Sequence, residues 1–175
     1  LAAILGAGLP AANACEAWVG PVDGLRDFEL GTGGLEVKST LAAVGFPACV
    51  GSLDQLDDTA RQPLFVVGVR LRQLDSGRAL PDYVEMLRDV VRGDDEAERI
   101  LSERLVAAGY FDAHASRYSR RFTQAASRLV EVVENFPRLT LGRVPAGITR
   151  ASYEIDLDRA PGPNVSMDEA LRRLG

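Results

Sequence analysis

Apolar and polar positions alternate over residues 27–38, on both sides of a glycine-rich segment. This pattern is typical of a β-hairpin, and we predict that residues 31–34 form its turn. With that turn, Leu30 faces Leu35 and Glu29 faces Glu36 across the two strands. Because side chains alternate along a strand, the hairpin has one apolar and one charged face. The apolar face carries Phe28, Leu30, Leu35 and Val37, and the charged face carries Asp27, Glu29, Glu36 and Lys38.

The rest of the pattern predicts further strands and helices. We predict the strongest strand from Pro63 to Leu74, because its continuous apolar run at 64–69 is typical of a central strand that is covered on both faces. Helical stripes and end signals predict one helix from about 81 to 91 and a second from Asp94 to a C-cap at Gly109. We also predict a helix at 9–19, strands at 44–50, 121–125, 128–133 and 148–157, and a final helix opened by a capping box at 166–169.

These elements predict an α/β fold with a mixed central β-sheet flanked by helices and extra antiparallel strands in the C-terminal half. The 175 residues, of which 46% are hydrophobic, fit one domain with a sizeable core. The chain begins with Leu1 instead of methionine. We therefore expect a single domain over residues 1–175 that is a fragment lacking an N-terminal region.

Composition excludes several classes of protein. No apolar run approaches the length of a membrane span, and a net charge of −5 argues against a protein that coats nucleic acid. We expect Cys15 and Cys49 to be free, buried thiols, which fits a cytoplasmic protein. His114 is the only histidine, so a histidine-based metal cluster is excluded, and we place this residue on a loop or at the surface.

The charged face of the hairpin has two interpretations. Glu29 and Glu36 lie directly opposite each other in the predicted pairing, and like charges in that position destabilise a sheet. A divalent cation between the carboxylates would remove this cost, and Mg²⁺ prefers oxygen ligands of this kind. The alternative is a solvated strand face that carries cross-strand ion pairs.

Lysine usage favours the first interpretation. The chain has 20 Lys+Arg, and Lys38 is the only lysine among them. Arginine is permanently charged, whereas lysine is a compact point charge with a movable pKa. A site that transfers protons beside a phosphate needs the second kind of cation.

Asp27 followed by Glu36-Val37-Lys38 resembles the signature of the PD-(D/E)XK nucleases, the restriction-endonuclease-like superfamily. Further strings resemble a bacterial group known as PD-(D/E)XK motif proteins, which is associated with restriction and anti-phage systems. These strings are Trp18-Val19-Gly20-Pro21, Ser39-Thr40, Ser52-Leu53-Asp54-Gln55-Leu56, Gly109-Tyr110 and Asn135-Phe136-Pro137-Arg138. Asp23 competes with Asp27 as the first acid, and we prefer Asp27 because it lies inside the predicted strand.

The resemblance implies a restriction-endonuclease-like core and a Mg²⁺ site, with Mn²⁺ as a substitute. Asp27 and Glu36 would hold the ion together with the backbone carbonyl of Val37, and Lys38 would orient or deprotonate the attacking water. An acid of the first helix joins the site in some members of the superfamily. Glu16 is the candidate for that position here, and the alternative is a solvated helix residue.

Several polar residues are candidates for contacts with a substrate. Gln55 could contact a base edge or a phosphate, and the alternative is a capping or solvent role. Thr40 could reach the same phosphate or a metal-bound water, and the alternative is an ordinary strand residue. Arg120 and Arg121 belong to a segment in which arginines alternate with aromatic residues, together with Arg117 and Arg128. Such a segment fits a phosphate backbone, and it fits an exposed pair of strands equally well.

The function predicted from these observations is Mg²⁺-dependent hydrolysis of phosphodiester bonds in DNA by an endonuclease of a restriction or phage-defence system. A homodimer or partner subunits of that system are the expected partners. One site cuts one strand, so double-strand cleavage would imply a dimer or repeated nicking. The alternative is a non-catalytic module that binds nucleic acid or a partner subunit in a larger defence complex.

Overall fold

A computed structural model describes all residues, Leu1–Gly175. The chain divides into two compact units. Unit 1 comprises Leu1–Phe28 and Arg72–Thr123, and unit 2 comprises Glu29–Leu71 and Gln124–Gly175. The single domain expected over residues 1–175 stays a prediction.

The chain has six strands and five α-helices. Strands β1, β2, β4 and β5 form one sheet in that order, and β3 pairs with β6 in a second sheet. The strands are β1 Phe28–Leu30, β2 Gly33–Thr40, β3 Pro47–Val50, β4 Leu64–Ala79, β5 Arg121–Glu131 and β6 Tyr153–Asp156. The α-helices are α1 Ala2–Gly6, α2 Ala11–Ala17, α3 Leu80–Val91, α4 Asp95–Ala107 and α5 Met167–Leu174.

Parallel and antiparallel pairs occur together, as predicted for a mixed α/β fold. Strand β2 runs parallel to β4, and β3 runs antiparallel to β6. The predicted central strand is confirmed, because β4 lies between β2 and β5 and its first residues are buried in succession. This arrangement agrees with a restriction-endonuclease-like fold.

Unit 2 is built in layers around the first part of β4. Val66 points into an apolar cluster that includes Phe46, Ile155 and Leu157, and this cluster joins the main sheet to the β3–β6 pair. Phe65 points to the opposite face, where the guanidinium of Arg173 in α5 lies 5.2 Å from the centre of its ring. The first part of β4 is therefore covered on both faces.

Unit 1 has its own core between short helices. Cys15 of α2 packs with residues of α3 and α4, among them Val84, Ile100 and Leu101. The predicted helices are confirmed with small shifts at their ends. Asp94 caps α4 by accepting a hydrogen bond from the Ala97 amide at 3.0 Å, as expected for an N-cap residue.

The hairpin turn is shorter than predicted. Gly31 and Thr32 form it, and β2 already begins at Gly33, so the facing pairs that rested on a four-residue turn lose their basis. The glycines admit the neighbouring chain. A Cβ atom on Gly33 would collide with the Pro63 carbonyl and would lie 2.5 Å from Leu174 Cδ2. The glycine run therefore serves close packing as well as the turn.

Three other expectations are corrected. The strands predicted at 121–125 and 128–133 form one continuous strand, β5, because no turn residue separates them. The strands predicted at 44–50 and 148–157 shorten to β3 and β6, which pair only over four residues. Cys49 is exposed, because alternation in β3 points it away from the core, whereas Cys15 is buried as expected.

His114 is exposed within a short 3-10 helix, in agreement with its predicted surface position. None of the helices has the length and apolar character that crossing a membrane requires.

Candidate active site

Glu36 is a buried carboxylate beside the only lysine of the chain. Three polar residues are buried, Arg26, Glu36 and Thr140, and Glu36 is the one acid among them, at 2% exposure. Its Oε1 lies 2.8 Å from Lys38 Nζ. Burying a carboxylate costs free energy unless an opposite charge and hydrogen bonds compensate for it. The Glu36 carboxylate therefore depends on such partners.

The register of β2 on β4 explains why these groups meet. Glu36 is the neighbour of Val66, and Lys38 is the neighbour of Gly68. Alternation places Glu36 and Lys38 on one face of the sheet, as predicted. This face carries the apolar cluster with Val66, and Glu36 is buried there, so the alternative of a solvated strand face does not hold for Glu36.

Gly68 leaves space next to Lys38. A Cβ atom at this position would lie 2.6 Å from Leu157 Cδ2 and 3.1 Å from Phe46 Cε2. Glycine therefore lets the core side chains pack directly under the strand at the level of Lys38.

Gln55 is the second polar partner of Glu36. Its Nε2 donates a hydrogen bond to Glu36 Oε1 at 2.6 Å, while its Oε1 accepts one from the Gly51 amide at 2.8 Å. The backbone contact fixes the orientation of the side-chain amide, because Oε1 must face the donor. Sequence reasoning proposed Gln55 as a substrate contact, whereas the structure places it on the carboxylate.

Arg138 anchors the segment that follows Gln55, a contribution that sequence reasoning missed. Its side chain is 5% exposed and its Nη1 lies 2.7 Å from Asp58 Oδ1. The same atom donates to the Leu56 carbonyl at 2.9 Å. The available signal was that Arg138 and Gln55 both belong to the strings that resemble the PD-(D/E)XK motif proteins.

Asp27 lies in unit 1, just before β1 instead of inside it. Its carbonyl accepts hydrogen bonds from the Val19 and Gly20 amides at 3.0 and 3.1 Å. A Cβ atom on Gly20 would lie 3.0 Å from Asp27 Oδ1, so this glycine admits the carboxylate. The next residue, Phe28, forms a β-bridge with Trp18.

The string Trp18-Val19-Gly20 therefore shapes the surroundings of Asp27, which the sequence did not reveal. The competing acid, Asp23, is exposed in a turn with a positive φ of 62°.

The other candidates have local partners or exposed positions. Glu16 is exposed on α2. Thr40 Oγ1 accepts a hydrogen bond from the Ala42 amide at 3.1 Å. Arg120 donates to Gln73 Oε1 at 2.9 Å, and Arg121 donates to the Gly77 carbonyl at 2.9 Å.

Arg128 is held inside unit 2 and serves its packing. Its guanidinium donates to Asn164 Oδ1 at 2.7 Å, to the Leu157 carbonyl and to the Ala160 carbonyl. It therefore differs from the neighbouring arginines of the sequence segment, whose side chains are exposed.

The donor atoms of the predicted metal site fit Mg²⁺ by their chemistry. As predicted, Asp27 and Glu36 would supply carboxylates and Val37 a carbonyl, and Mg²⁺ takes one or two carboxylates among oxygen ligands. No group of three or more His, Cys, Asp or Glu side chains is arranged to hold a metal ion. The fit therefore rests on the type of donor atoms.

The mixed sheet, with Glu36-Val37-Lys38 along the inner strand β2, is consistent with the class of restriction-endonuclease-like proteins. The family DUF4420, described as a "putative PD-(D/E)XK family member", matches residues 1–158. The chain belongs to this family. Neither a curated protein nor a solved structure matches this chain.

Proposed function

We propose that this protein is a metal-dependent nuclease that hydrolyses phosphodiester bonds of DNA, with Glu36 and Lys38 at its centre. The observation that carries the proposal is the distance of 2.8 Å between the only buried carboxylate and the only lysine. Stability alone does not explain why an ion pair of Glu36 and Lys38 is placed here, because replacing a buried ion pair with apolar residues is often neutral or stabilising.

Lys38 has the chemistry that the reaction needs. Its ammonium has three donors on a flexible stem, so it can hold an attacking water and balance negative charge on a phosphoryl group. Its side chain is 13% exposed, whereas that of Glu36 is 3% exposed. The lysine is therefore the member of the pair that solvent reaches, which suits contact with water and substrate.

Glu36 has the chemistry of a ligand that is fixed before the metal arrives. Gln55 and Lys38 both bind its Oε1, which restricts the rotation of the carboxylate. In this proposal Glu36, Asp27 and the carbonyl of Val37 hold Mg²⁺ or Mn²⁺, and Asp27 enters from the sequence pattern alone. A bound divalent cation would stabilise negative charge on the scissile phosphate.

The biological setting follows from the group of proteins that the sequence resembles. A restriction or phage-defence system would use such a nuclease in the cytoplasm, where free Cys15 and Cys49 would stay reduced. Cleavage of both DNA strands would then need a homodimer, a partner subunit or repeated nicking.

Nicking of supercoiled plasmid in Mg²⁺ or Mn²⁺ tests the proposal. We expect wild-type protein to nick the plasmid, EDTA to stop the reaction, and Lys38→Met, Glu36→Gln and Asp27→Asn to abolish it. Loss of one partner of a buried ion pair costs about 3–5 kcal/mol, so urea unfolding must show that each variant is folded. Folded wild type that neither cuts nor binds Mn²⁺ in calorimetry would instead support the non-catalytic module.

A further inference from the structure

Unit 1 carries an exposed, basic pair of chain segments that the candidate site does not use. They are residues 72–79 of β4 and residues 117–123, which lead into β5, and we call them the arginine ribbon. Together they contain five arginines and one carboxylate, Asp75. The chain as a whole has a net charge of −5, so positive charge is concentrated here against the overall balance.

The arginines of the ribbon differ from most others in their partners. Most arginines lie within 4.0 Å of a carboxylate, as Arg88 does with Asp112 at 2.8 Å. Arg72, Arg117 and Arg120 form no such pair. Arg120 binds the neutral oxygen of Gln73 and lies 5.1 Å from the centre of the Phe122 ring. Their charge therefore remains uncompensated by the protein.

Arg121 and Arg78 contact other protein groups or lie near carboxylates. Arg121 Nη1 lies 3.6 Å from Asp82 Oδ2 and donates to the Gly77 carbonyl. Arg78 donates to Met86 Sδ at 3.3 Å, and it lines a cavity with Asp82 and Glu85. The uncompensated charge is thus centred on the other three arginines.

Residues 72–76 of the ribbon are also uncovered on both faces, whereas Gly77 and Ala79 are buried. Residues 72–76 of β4 are exposed one after another, whereas a strand with one covered face would alternate between buried and exposed residues. Strands β4 and β5 approach closely at Gly77, where a Cβ atom would lie 2.7 Å from the backbone of Phe122. Arg72 lies on β4, whereas Arg117 ends the short 3-10 helix and Arg120 directly precedes β5.

We propose that the arginine ribbon binds the backbone of duplex DNA, with Arg72, Arg117 and Arg120 as its phosphate contacts. The charge comes from this surface alone, while the choice of duplex DNA as partner rests on the proposed function. Phosphate contacts by arginine contribute affinity without sequence selection. The ribbon would therefore give non-specific affinity that depends strongly on salt.

Fluorescence anisotropy with a fluorescein-labelled 20-base-pair duplex in EDTA tests this proposal without any cleavage. The variant Arg72→Gln/Arg117→Gln/Arg120→Gln is compared with Arg92→Gln/Arg99→Gln/Arg172→Gln, which changes net charge equally at exposed arginines that have carboxylate partners. We expect at least about tenfold weaker binding for the first variant only. The slope of log K against log salt should become shallower by about 3, or about one per lost phosphate contact.

Equal affinity of both variants would overturn the proposal, as would a wild type that binds no duplex. Competition by single-stranded RNA at the same concentration as duplex DNA would overturn the assignment to duplex DNA. Failure here is distinguishable from failure of the proposed function. Plasmid nicking that depends on Lys38 can persist without the ribbon, and duplex binding in EDTA can persist in the Lys38→Met variant.

Discussion

The side-chain amide of Gln55 binds the buried carboxylate of Glu36 at 2.6 Å and is itself held by the Gly51 amide at 2.8 Å. A short chain of hydrogen bonds thus connects the loop after β3 to the centre of the candidate site. Groups that orient a ligand in this way are often as important for metal binding as the ligand itself.

Gln55→Ala should lower Mn²⁺ affinity and plasmid nicking by about 10–100-fold, the usual effect of removing a partner of a metal ligand. The physical reason is that Glu36 loses a donor and its carboxylate gains rotational freedom. Calorimetry and nicking assays measure the two effects. Gln124→Ala, at an exposed glutamine of the same unit, should change neither. If Gln55 contacts only substrate, Mn²⁺ affinity will instead stay at the wild-type value.

Lys38→Arg should reduce the cleavage rate by about 100-fold or more, the usual contribution of a positioned proton-transfer group. Arginine keeps the positive charge, but its planar guanidinium does not release a proton. Single-turnover nicking kinetics measure the loss. The reverse exchange Arg61→Lys, at a partly exposed pair with Glu29 at 3.1 Å, serves as the control and should have no effect. Cleavage at the wild-type rate by Lys38→Arg would show that Lys38 acts only through its positive charge.

Gly33→Ala should destabilise the protein by about 1–3 kcal/mol or more, as overpacking of a tight site does. The added methyl group would collide with the Pro63 carbonyl and press on Leu174 of α5. Urea unfolding followed by circular dichroism measures the change. Gly142→Ala is the matched control, because nothing lies within 4 Å of its added Cβ atom. Equal midpoints for the two variants would show that the hairpin can shift to make room.

Cys15 and Cys49 should differ in reactivity towards a thiol reagent. Burial raises the pKa of the Cys15 thiol, and the charge of Asp94 adds to this shift. Cys49 is exposed. We expect one fast-reacting thiol per native chain, which Cys49→Ser removes, and a second only after denaturation. Two fast thiols in the native protein would contradict the buried position of Cys15.

The same shift has a consequence for stability at alkaline pH. The pKa of the Cys15 thiol is higher in the folded state than in the unfolded state. The stability that this difference contributes is therefore complete at pH values below the unfolded pKa of about 8.5. It is lost as pH rises through the higher folded value. Thermal unfolding of wild type should therefore show a steeper loss of stability above about pH 8.5 than Cys15→Ser. Parallel pH profiles of the two proteins would argue against the shift.

Structural features that depend only on neighbouring residues could be predicted from the sequence. The apolar run at 64–69 specified the inner strand β4, and the signals at Asp94 and Gly109 specified the limits of α4, because each depends on neighbouring residues. The alternation that places Glu36 and Lys38 on one face is equally local. The Glu-x-Lys string, with the other shared motifs, also identified the family, which matches residues 1–158.

Tertiary structure alone decided what surrounds these residues. Glu36 is buried because its face of β2 meets the apolar layer of β3 and β6, and Gln55 meets it across 19 positions of the chain. The short turn at Gly31 is set by the distant Pro63 and Leu174, which occupy the space next to the hairpin. Such contacts depend on which layers pack together. Packing is a property of the folded whole, so a pattern confined to neighbouring residues does not determine it.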